Sequence, residues 1–249
     1  MRIDPSDPLG SAENARSSYE RTGAPELLEL GLSLIEIAYQ AAPAASWQRA
    51  DALRLRGVLL RLRYERTRDR ADLDAAVKAG RQALAAPGPQ GAVRANVLSS
   101  LGSSLQEVFM LTNDEAAIEE AATLTREAWN EVAGDPGFRH RAALQGTLSN
   151  ALLLWGKASG RDELIAEAVA AGREAVRATP EGDPAGPRLL VNLGTALMFH
   201  ARSSGGTAAV DEAVTSYRAA LAAFPAKHPN LPAVRALLDQ AMTVRKALR

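Results

Sequence analysis

The sequence repeats one short turn at nearly constant intervals. The turn segments are spaced by 45, 45, 47 and 45 residues, and they are Thr22-Gly23, Thr67-Arg68-Asp69, Thr112-Asn113-Asp114, Ser159-Gly160-Arg161 and Ser204-Gly205-Gly206. A fixed period of this size is typical of solenoid proteins, in which each repeat buries its apolar face against its neighbours. Such a chain grows by the addition of repeats, so it needs no single globular core.

The segment after each turn repeats as well. An arginine recurs at one position, and an apolar residue stands eight positions before it. The arginines are Arg81, Arg126, Arg173 and Arg218, and the apolar residues are Leu73, Ile118, Ile165 and Val210. Apolar residues spaced by three and four predict helices on both sides of the turns, whereas the period-two alternation of strands is absent. The pattern predicts an all-α fold, an α-solenoid of antiparallel helix pairs with about 11 helices.

We expect one solenoid domain over residues 1–249. Its repeats span about 1–45, 46–91, 92–138, 139–183 and 184–228, and a capping helix follows at 229–249. Pro5, Pro8 and Gly10 move the start of the first helix to about Ser11, which makes the terminal repeat atypical, as is normal in solenoids. The apolar side chains expected to face inward from the capping helix are Val234, Leu237, Leu238, Ala241 and Met242.

Composition limits the classes of function. The 29 basic residues balance the 29 acidic ones, so net charge gives no general attraction to nucleic acid, which we do not expect as a partner. No apolar segment approaches the roughly 18 residues of a membrane span, and the N-terminus lacks the apolar core of a secretory signal. The absence of cysteine excludes disulfides, thiolate nucleophiles and Cys-ligated zinc. We therefore predict a cytoplasmic protein without a membrane partner.

The predicted helix at 48–70 is rich in arginine. Two rows with a spacing of seven residues run along it, one of Arg49, Arg56, Arg63 and Arg70 and one of Arg54, Arg61 and Arg68. One interpretation is a solvated face whose arginine stems cover neighbouring leucines. The other is a stripe that binds an anion or an acidic peptide.

The first helix of the third repeat is polar instead. Its small hydroxyl and amide side chains are Asn96, Ser99, Ser100, Ser103, Ser104 and Gln106. Such side chains suit the lining of a ligand groove, and they equally suit an exposed helix that binds nothing. The sequence leaves both interpretations open.

No residue pattern points to catalysis, a metal or a cofactor. Acidic pairs such as Asp114-Glu115 and Asp162-Glu163 fall at predicted helix starts, where carboxylates favour the positive helix pole and cap N–H groups. The three histidines lie in different places without a second ligand at metal spacing, and the sequence has no dinucleotide or Ser-nucleophile motif. We expect no enzyme activity, no metal and no cofactor, with an unfamiliar active site in a groove as a remote alternative.

The repeats resemble the tetratricopeptide repeat (TPR) family. In the fifth repeat, Leu193-Gly194 matches the Leu-Gly pair of the family's first helix. Its second helix matches at Ala213, Tyr217, Ala220 and Pro225. Matching residues in the other repeats are Ala168, Gly172, Ala175, Pro180, Leu101-Gly102, Ala121, Ala128, Gly57, Ala76 and Ala83. The family's usual period is about 34 residues, so the first helix or its loop is longer here. Long repeats with this turn resemble those of actinobacterial and fungal multi-repeat proteins, and the alanine and arginine content is typical of a GC-rich bacterial genome.

The resemblance implies a right-handed superhelix whose first helices line the concave face, where partner peptides lie. The residues that it places on this face are Arg54, Arg61, Asn96, Ser99, Ser103, Gln106, Asn150, Asn192 and Met198. The family's carboxylate clamp is incomplete, because Val58 stands where its asparagine is expected.

Two functions therefore come into question. The first is a non-catalytic scaffold or adaptor that binds a protein or peptide partner, such as an effector encoded separately. The alternative is a sensor for an anionic ligand, either an acidic protein or a nucleic acid, that acts through the arginine-rich helix 48–70. Assembly into a homo-oligomer is open in both cases.

Overall fold

The computed structural model describes residues 4–135, 137–204, 206–225 and 228–248, and within them every regular element is an α-helix. The eleven helices of these residues are α1 Pro8–Thr22, α2 Glu26–Ala41, α3 Trp47–Thr67, α4 Arg70–Ala85, α5 Gly91–Thr112, α6 Glu115–Val132, α7 Arg141–Ser159, α8 Asp162–Arg177, α9 Gly186–Ser204, α10 Thr207–Ala223 and α11 Leu231–Ala247. The prediction of an all-α fold with about 11 helices is confirmed.

The chain divides into two compact units. The N-terminal unit, Met1–Pro136, contains α1 to α6, and the C-terminal unit, Gly137–Arg249, contains α7 to α11. The division falls in the predicted turn at 134–137. One continuous solenoid domain with five repeats stays a prediction.

The helices pack in two layers within each unit. Each first helix packs against the second helix that follows it, and each second helix also contacts the next first helix of its unit. The first helices contact one another, α1 with α3 and α3 with α5, then α7 with α9 and α9 with α11. Among the described residues, the second helices of a unit make no such contact. The helix pairs of the predicted solenoid are therefore confirmed, and the first helices form the tighter layer.

The recurrent turn ends each first helix in the same way. Gly23, Arg68, Asn113 and Gly160 all adopt the left-handed conformation, with φ between 55 and 70°. The N–H of Arg68 donates to the carbonyl of Tyr64 at 2.7 Å, and the equivalent N–H groups bond likewise. This bond satisfies a carbonyl that the helix leaves open at its end. The turn at 204–206 includes Gly205, which lies outside the described residues.

The threonine and aspartate of the turn begin the second helix. The Asp69 carboxylate accepts the N–H of Ala71 at 3.0 Å, and the Thr67 hydroxyl accepts the N–H of Asp69 at 3.2 Å. Thr112 and Asp114 make the same two bonds in the next repeat. Because these side chains cap open N–H groups, the Thr-x-Asp sequence fixes where one helix ends and the next begins.

Small residues let the two helices of a repeat approach closely. A Cβ atom placed on Gly57 would lie 3.1 Å from the carbonyl oxygen of Ala76, and one on Gly102 would lie 3.2 Å from that of Ala121. Ala76 and Ala121 are themselves buried. The glycines that match the TPR pattern therefore serve helix packing.

The fourth and fifth repeats use this contact position differently. Ser149 takes the place of the glycine, and its hydroxyl donates to the carbonyl of Ala168 at 2.8 Å. In the fifth repeat, Gly194 faces the ring of the buried Tyr217, and an added Cβ would lie 2.7 Å from its Cε1 atom. At this helix–helix contact, the fourth repeat thus has a hydrogen bond from a serine, and the fifth repeat has a tyrosine ring packed on a glycine.

Arginine–glutamate pairs bridge the second helices. Arg81 of α4 pairs with Glu120 of α6 at 3.0 Å, and Arg173 of α8 pairs with Glu212 of α10 at 2.6 Å. These arginines belong to the set whose recurrence marks the repeat in the sequence. They link second helices whose backbones do not touch. Pairs this exposed contribute only about 0–1 kcal/mol each.

Three details differ from the sequence predictions. Helix α1 begins at Pro8 and not near Ser11, because the Asp7 carboxylate accepts the N–H of Gly10 at 2.9 Å and proline suits a first helical position. In α11, Met242 is 39% exposed instead of facing inward, whereas Ala241 beside it is buried. The arginine rows are shorter than expected, because α3 ends at Thr67, so that neither Arg68 nor Arg70 belongs to it.

We expect Gly194→Ala to lower the free energy of unfolding by about 1–3 kcal/mol, because the new methyl group has to displace the rigid ring of Tyr217. Urea unfolding followed by circular dichroism measures the change. Gly186→Ala is the matched control, since its Cβ would lie 3.5 Å from Thr179 in ordinary contact. Equal stability of the two variants would contradict the packing role of Gly194.

Candidate functional site

The first helices of the N-terminal unit carry a band of polar residues. We call this band the first-helix face, and it consists of Glu13, Arg16, Glu20, Asp51, Arg54, Arg61, Glu65, Asn96, Ser99, Ser103 and Glu107. On each helix these residues are separated by three, four or seven positions, which places them on one side. Because α1, α3 and α5 lie side by side, their bands form one surface.

Both arginines that the sequence assigns to this face lie on it, and each has a carboxylate partner. The Arg54 Nε donates to the Asp51 carboxylate at 2.5 Å, and Arg61 pairs with Glu65 on the following turn of α3. In the preceding repeat, Arg16 pairs with Glu20 at 2.6 Å in the same i, i+4 arrangement. The face therefore presents neighbouring charges of both signs.

The other arginine row of α3 contacts helix α2. The Arg49 guanidinium lies 4.1 Å from the ring centroid of Tyr39, and Arg56 approaches Glu36 at 3.6 Å. Arg63 joins Glu29 on α2, at 3.0 Å, to the buried Asp72 on α4, at 2.6 Å. The carboxylate of Asp72 is the main cause that raises the pKa of Arg63. This row is used in packing between repeats.

The polar residues of α5 differ in their accessibility. Asn96, Ser99 and Ser103 are partly exposed, and the Ser103 hydroxyl donates to the carbonyl of Ser99 at 3.0 Å. Gln106 is buried, with 6% of its surface exposed. Three of the four α5 residues assigned to the face are thus accessible to a partner.

Glu107 is a residue of this face that the sequence analysis did not assign. Burial raises its pKa, and the nearby Glu65 raises it further, while Arg61 and Arg68 lower it. These four charged groups therefore meet where α3 and α5 end. In the sequence, Glu107 directly follows Gln106. The spacing of the apolar residues does not show which of the two side chains is buried.

The remaining assigned residues lie in the C-terminal unit. Asn150 on α7 and Asn192 on α9 are partly exposed, whereas Met198 is buried. The six other assigned residues lie together on α3 and α5 of the N-terminal unit. In the C-terminal unit, the apolar residues Leu153 and Met198 stand at the repeat position of Arg61.

The acidic pairs and the histidines lie apart from one another. Asp114 caps α6, and Glu212 pairs with Arg173. His228 stacks on Phe224 with a centroid distance of 4.3 Å, and its Nδ1 accepts the N–H of Asn230. In the part of the chain that the structure describes, no group of three His, Cys, Asp or Glu side chains could hold a metal ion.

No protein-family model matches the chain, and no curated protein sequence matches it. Several solved structures are similar to it. BtubC from P. vanneervenii is 17% identical, with 98% of this chain and 90% of that chain covered and a TM-score of 0.47. The S. pombe nuclear import adaptor Nro1 is 13% identical, with 97% and 98% covered and a TM-score of 0.39. The de novo designed helical repeat protein DHR64 is 21% identical, with 98% and 100% covered and a TM-score of 0.27.

At these identities and TM-scores we transfer no function from these proteins. The chain's own geometry therefore carries the functional argument. Over the described residues, no helix has the length and apolarity to cross a membrane.

We expect two Glu→Gln variants to change stability in opposite directions at neutral pH. The folded-state pKa of Glu107 is raised above 4.5, so its charge disfavours folding above that pKa, and Glu107→Gln stabilises. The hydrogen bond from Arg173 lowers the pKa of Glu212 below 4.5, so Glu212→Gln destabilises. Both carboxylates are partly solvated, and each effect is less than about 1 kcal/mol.

Urea unfolding at a series of pH values measures both effects. The gain from Glu107→Gln decreases once the pH falls below the raised pKa of the folded state, and it is gone below the unfolded-state pKa, because the carboxyl group is then neutral in both states. The loss from Glu212→Gln disappears as the pH falls through the lowered pKa. A shift of the same sign in both variants at neutral pH would contradict the assignment of these environments.

Proposed function

We propose that the protein is a non-catalytic scaffold that binds a protein or peptide segment on the first-helix face. The observation that carries this proposal is the band of polar residues on three adjacent helices, accessible to a partner and separate from the contacts that hold the repeats together. Packing uses Gly57, Gly102 and the Arg49–Arg56–Arg63 row, so the band has no evident structural task.

The charges of the face favour a peptide with residues of both signs. Arg16–Glu20 and Arg61–Glu65 place a cation and an anion side by side on successive helices. A ligand with complementary charges gains interactions at both, whereas like charges placed opposite each other weaken binding. On the adjacent helix α5, Ser99 and Ser103 offer small hydroxyl groups to the ligand backbone.

The alternative, a sensor for an anionic ligand, has less support. A polyanion at Arg54 and Arg61 has to compete with Asp51 and Glu65, which already neutralise them. Arg49, Arg56 and Arg63 contact α2 and are not available as a second row. We therefore prefer a peptide partner to nucleic acid or an acidic protein.

Membership in the TPR family is part of the proposal. It is supported by the Leu-Gly and Ala positions of the repeats, while the repeat period of about 45 residues exceeds the family's usual period of about 34 residues. Helix α3 has 21 residues and α5 has 22, against 16 in α4 and 18 in α6. The longer period thus arises in the first helix. A cytoplasmic location in a bacterium and the assembly state, including a homo-oligomer, belong to the same proposal.

We expect Ser103→Glu to weaken peptide binding at least about tenfold, which corresponds to 1.4 kcal/mol, since it puts a bulky like charge beside Glu107 in the face. Peptides are selected from a random-sequence display library with the purified protein, and their dissociation constants are measured by fluorescence anisotropy. Gln82→Glu is the control, because it makes the same change in charge on an exposed site of α4.

Two results would contradict the proposal. One is an unchanged affinity in Ser103→Glu. The other is the recovery of acidic peptides only, with affinities that fall steeply with salt and are lost in Arg54→Gln/Arg61→Gln, because this favours the anion sensor.

A further inference from the structure

The C-terminal unit contains an open hollow that the first-helix face does not include. It has a volume of about 350 Å³ and lies where the ends of α7 and α9 meet the start of α8. The residues that line it are Gly156, Lys157, Gly160, Asp162, Ile165, Phe199, Arg202 and Ser203.

Two cations converge in this hollow on one aromatic ring. The Lys157 Nζ lies 4.4 Å from the ring centroid of Phe199, and the guanidinium carbon of Arg202 lies 4.6 Å from it. Cation–π contacts hold both exposed side chains beside the same apolar ring. Two positive charges therefore lie close to one ring, and the packing of the helices does not require them there.

A comparison of equivalent positions in the repeats shows that the two units carry opposite charges at the position of Lys157 and Arg202. Counted along the repeats, the position of Lys157 and Arg202 is held by Glu20, Glu65 and Met110 in the first three. The two glutamates are neutralised by arginines four residues earlier in the chain. In the last two repeats that earlier position is an apolar residue, Leu153 or Met198. Across the described residues, neither Lys157 nor Arg202 has a carboxylate within 4.0 Å.

We propose that Lys157 and Arg202 form an oxyanion-binding site that takes a single phosphate or carboxylate group. Two basic side chains that line one hollow can each give such a group charge-assisted hydrogen bonds. The apolar atoms of Phe199 and Ile165 give the rest of the ligand a surface to contact. The site does not depend on peptide binding to the first-helix face.

The start of α8 adds to the attraction. Arg161 stands at the N-cap position that Asp69 and Asp114 occupy in the earlier repeats, and no side chain caps this helix. Its guanidinium stacks on Trp155 at 4.0 Å. The uncapped N–H groups of the first turn therefore favour a negative ligand, as helix N-termini do.

Of the described residues that line the hollow, Asp162 is the one acidic residue. It is the first residue of α8, where its carboxylate interacts favourably with the positive pole of that helix. Together with Lys157 and Arg202, it leaves the described lining with an excess of one positive charge. A single oxyanion matches this excess, whereas a polyanion meets repulsion from Asp162.

The test is a titration of the ¹⁵N-labelled full chain with inorganic phosphate and, separately, with acetate, followed by the backbone amide resonances. We expect saturable shifts confined to the amides that line the hollow, among them Gly160 and Phe199. The ion with the lower dissociation constant identifies whether the site prefers phosphate or carboxylate. Sodium chloride at equal ionic strength corrects for general salt effects.

Two double variants decide the role of the side chains. Lys157→Gln/Arg202→Gln weakens binding at least about tenfold, because it removes two charge-assisted hydrogen bonds. Lys157→Arg/Arg202→Lys retains it, since both charges remain. Arg218→Gln/Arg235→Gln, which changes exposed residues of α10 and α11 by the same net charge, leaves it unchanged.

Three outcomes would overturn the proposal. They are the absence of saturable shifts with either ion, shifts spread over the whole surface, and equal weakening in the two Gln double variants. Circular dichroism of each variant shows that the helices are intact, so a loss of binding is not a loss of fold. None of these results bears on the peptide selection described for the N-terminal unit, because that experiment uses Ser103→Glu.

Discussion

The close approach of two helix backbones within each repeat is the contact on which the rest of the structure depends. At Gly57 and Gly102 there is no room for a side chain beside the facing carbonyl of Ala76 or Ala121. Dispersion between such closely packed atoms is small for each pair and large in sum. An interior built from alanine and leucine with few aromatic rings is the composition that this spacing requires.

The same contact separates the residues that hold the protein together from those that can bind a partner. Once one side of a first helix packs on its second helix, and its flanks on the neighbouring first helices, a single band remains. In the N-terminal unit this band consists of ion pairs such as Arg61–Glu65. In the C-terminal unit, Lys157 and Arg202 stand at the position of Glu65, and no carboxylate of the described residues pairs with them. One scaffold thus offers two surfaces with different electrostatics.

The sequence predicted the helices well because their signals are local. The Thr-x-Asp turns, the αL residue and the periodic apolar positions each act over a few residues, and all reappear in the structure. The site stays a prediction, and the structure shows only how accessible its residues are. Arg54, Arg61, Asn96, Ser99 and Ser103 lie on the expected face, whereas Gln106 and Met198 are buried. The spacing of residues along a helix gives the direction in which each side chain points. It does not show how far a neighbouring helix covers that side chain.

The sequence by itself determined the number of helices, their order and the residues that pack within each pair, since these follow from a repeating pattern of small and apolar residues. Only the tertiary structure decided which charges neutralise one another. Arg63 reaches Glu29, which is 34 residues away, and Asp72 at once, and Lys157 shares Phe199 with Arg202 of the next repeat. The distances between helices determine which charged groups a long side chain can contact. Those distances arise from packing, and a one-dimensional pattern does not contain them.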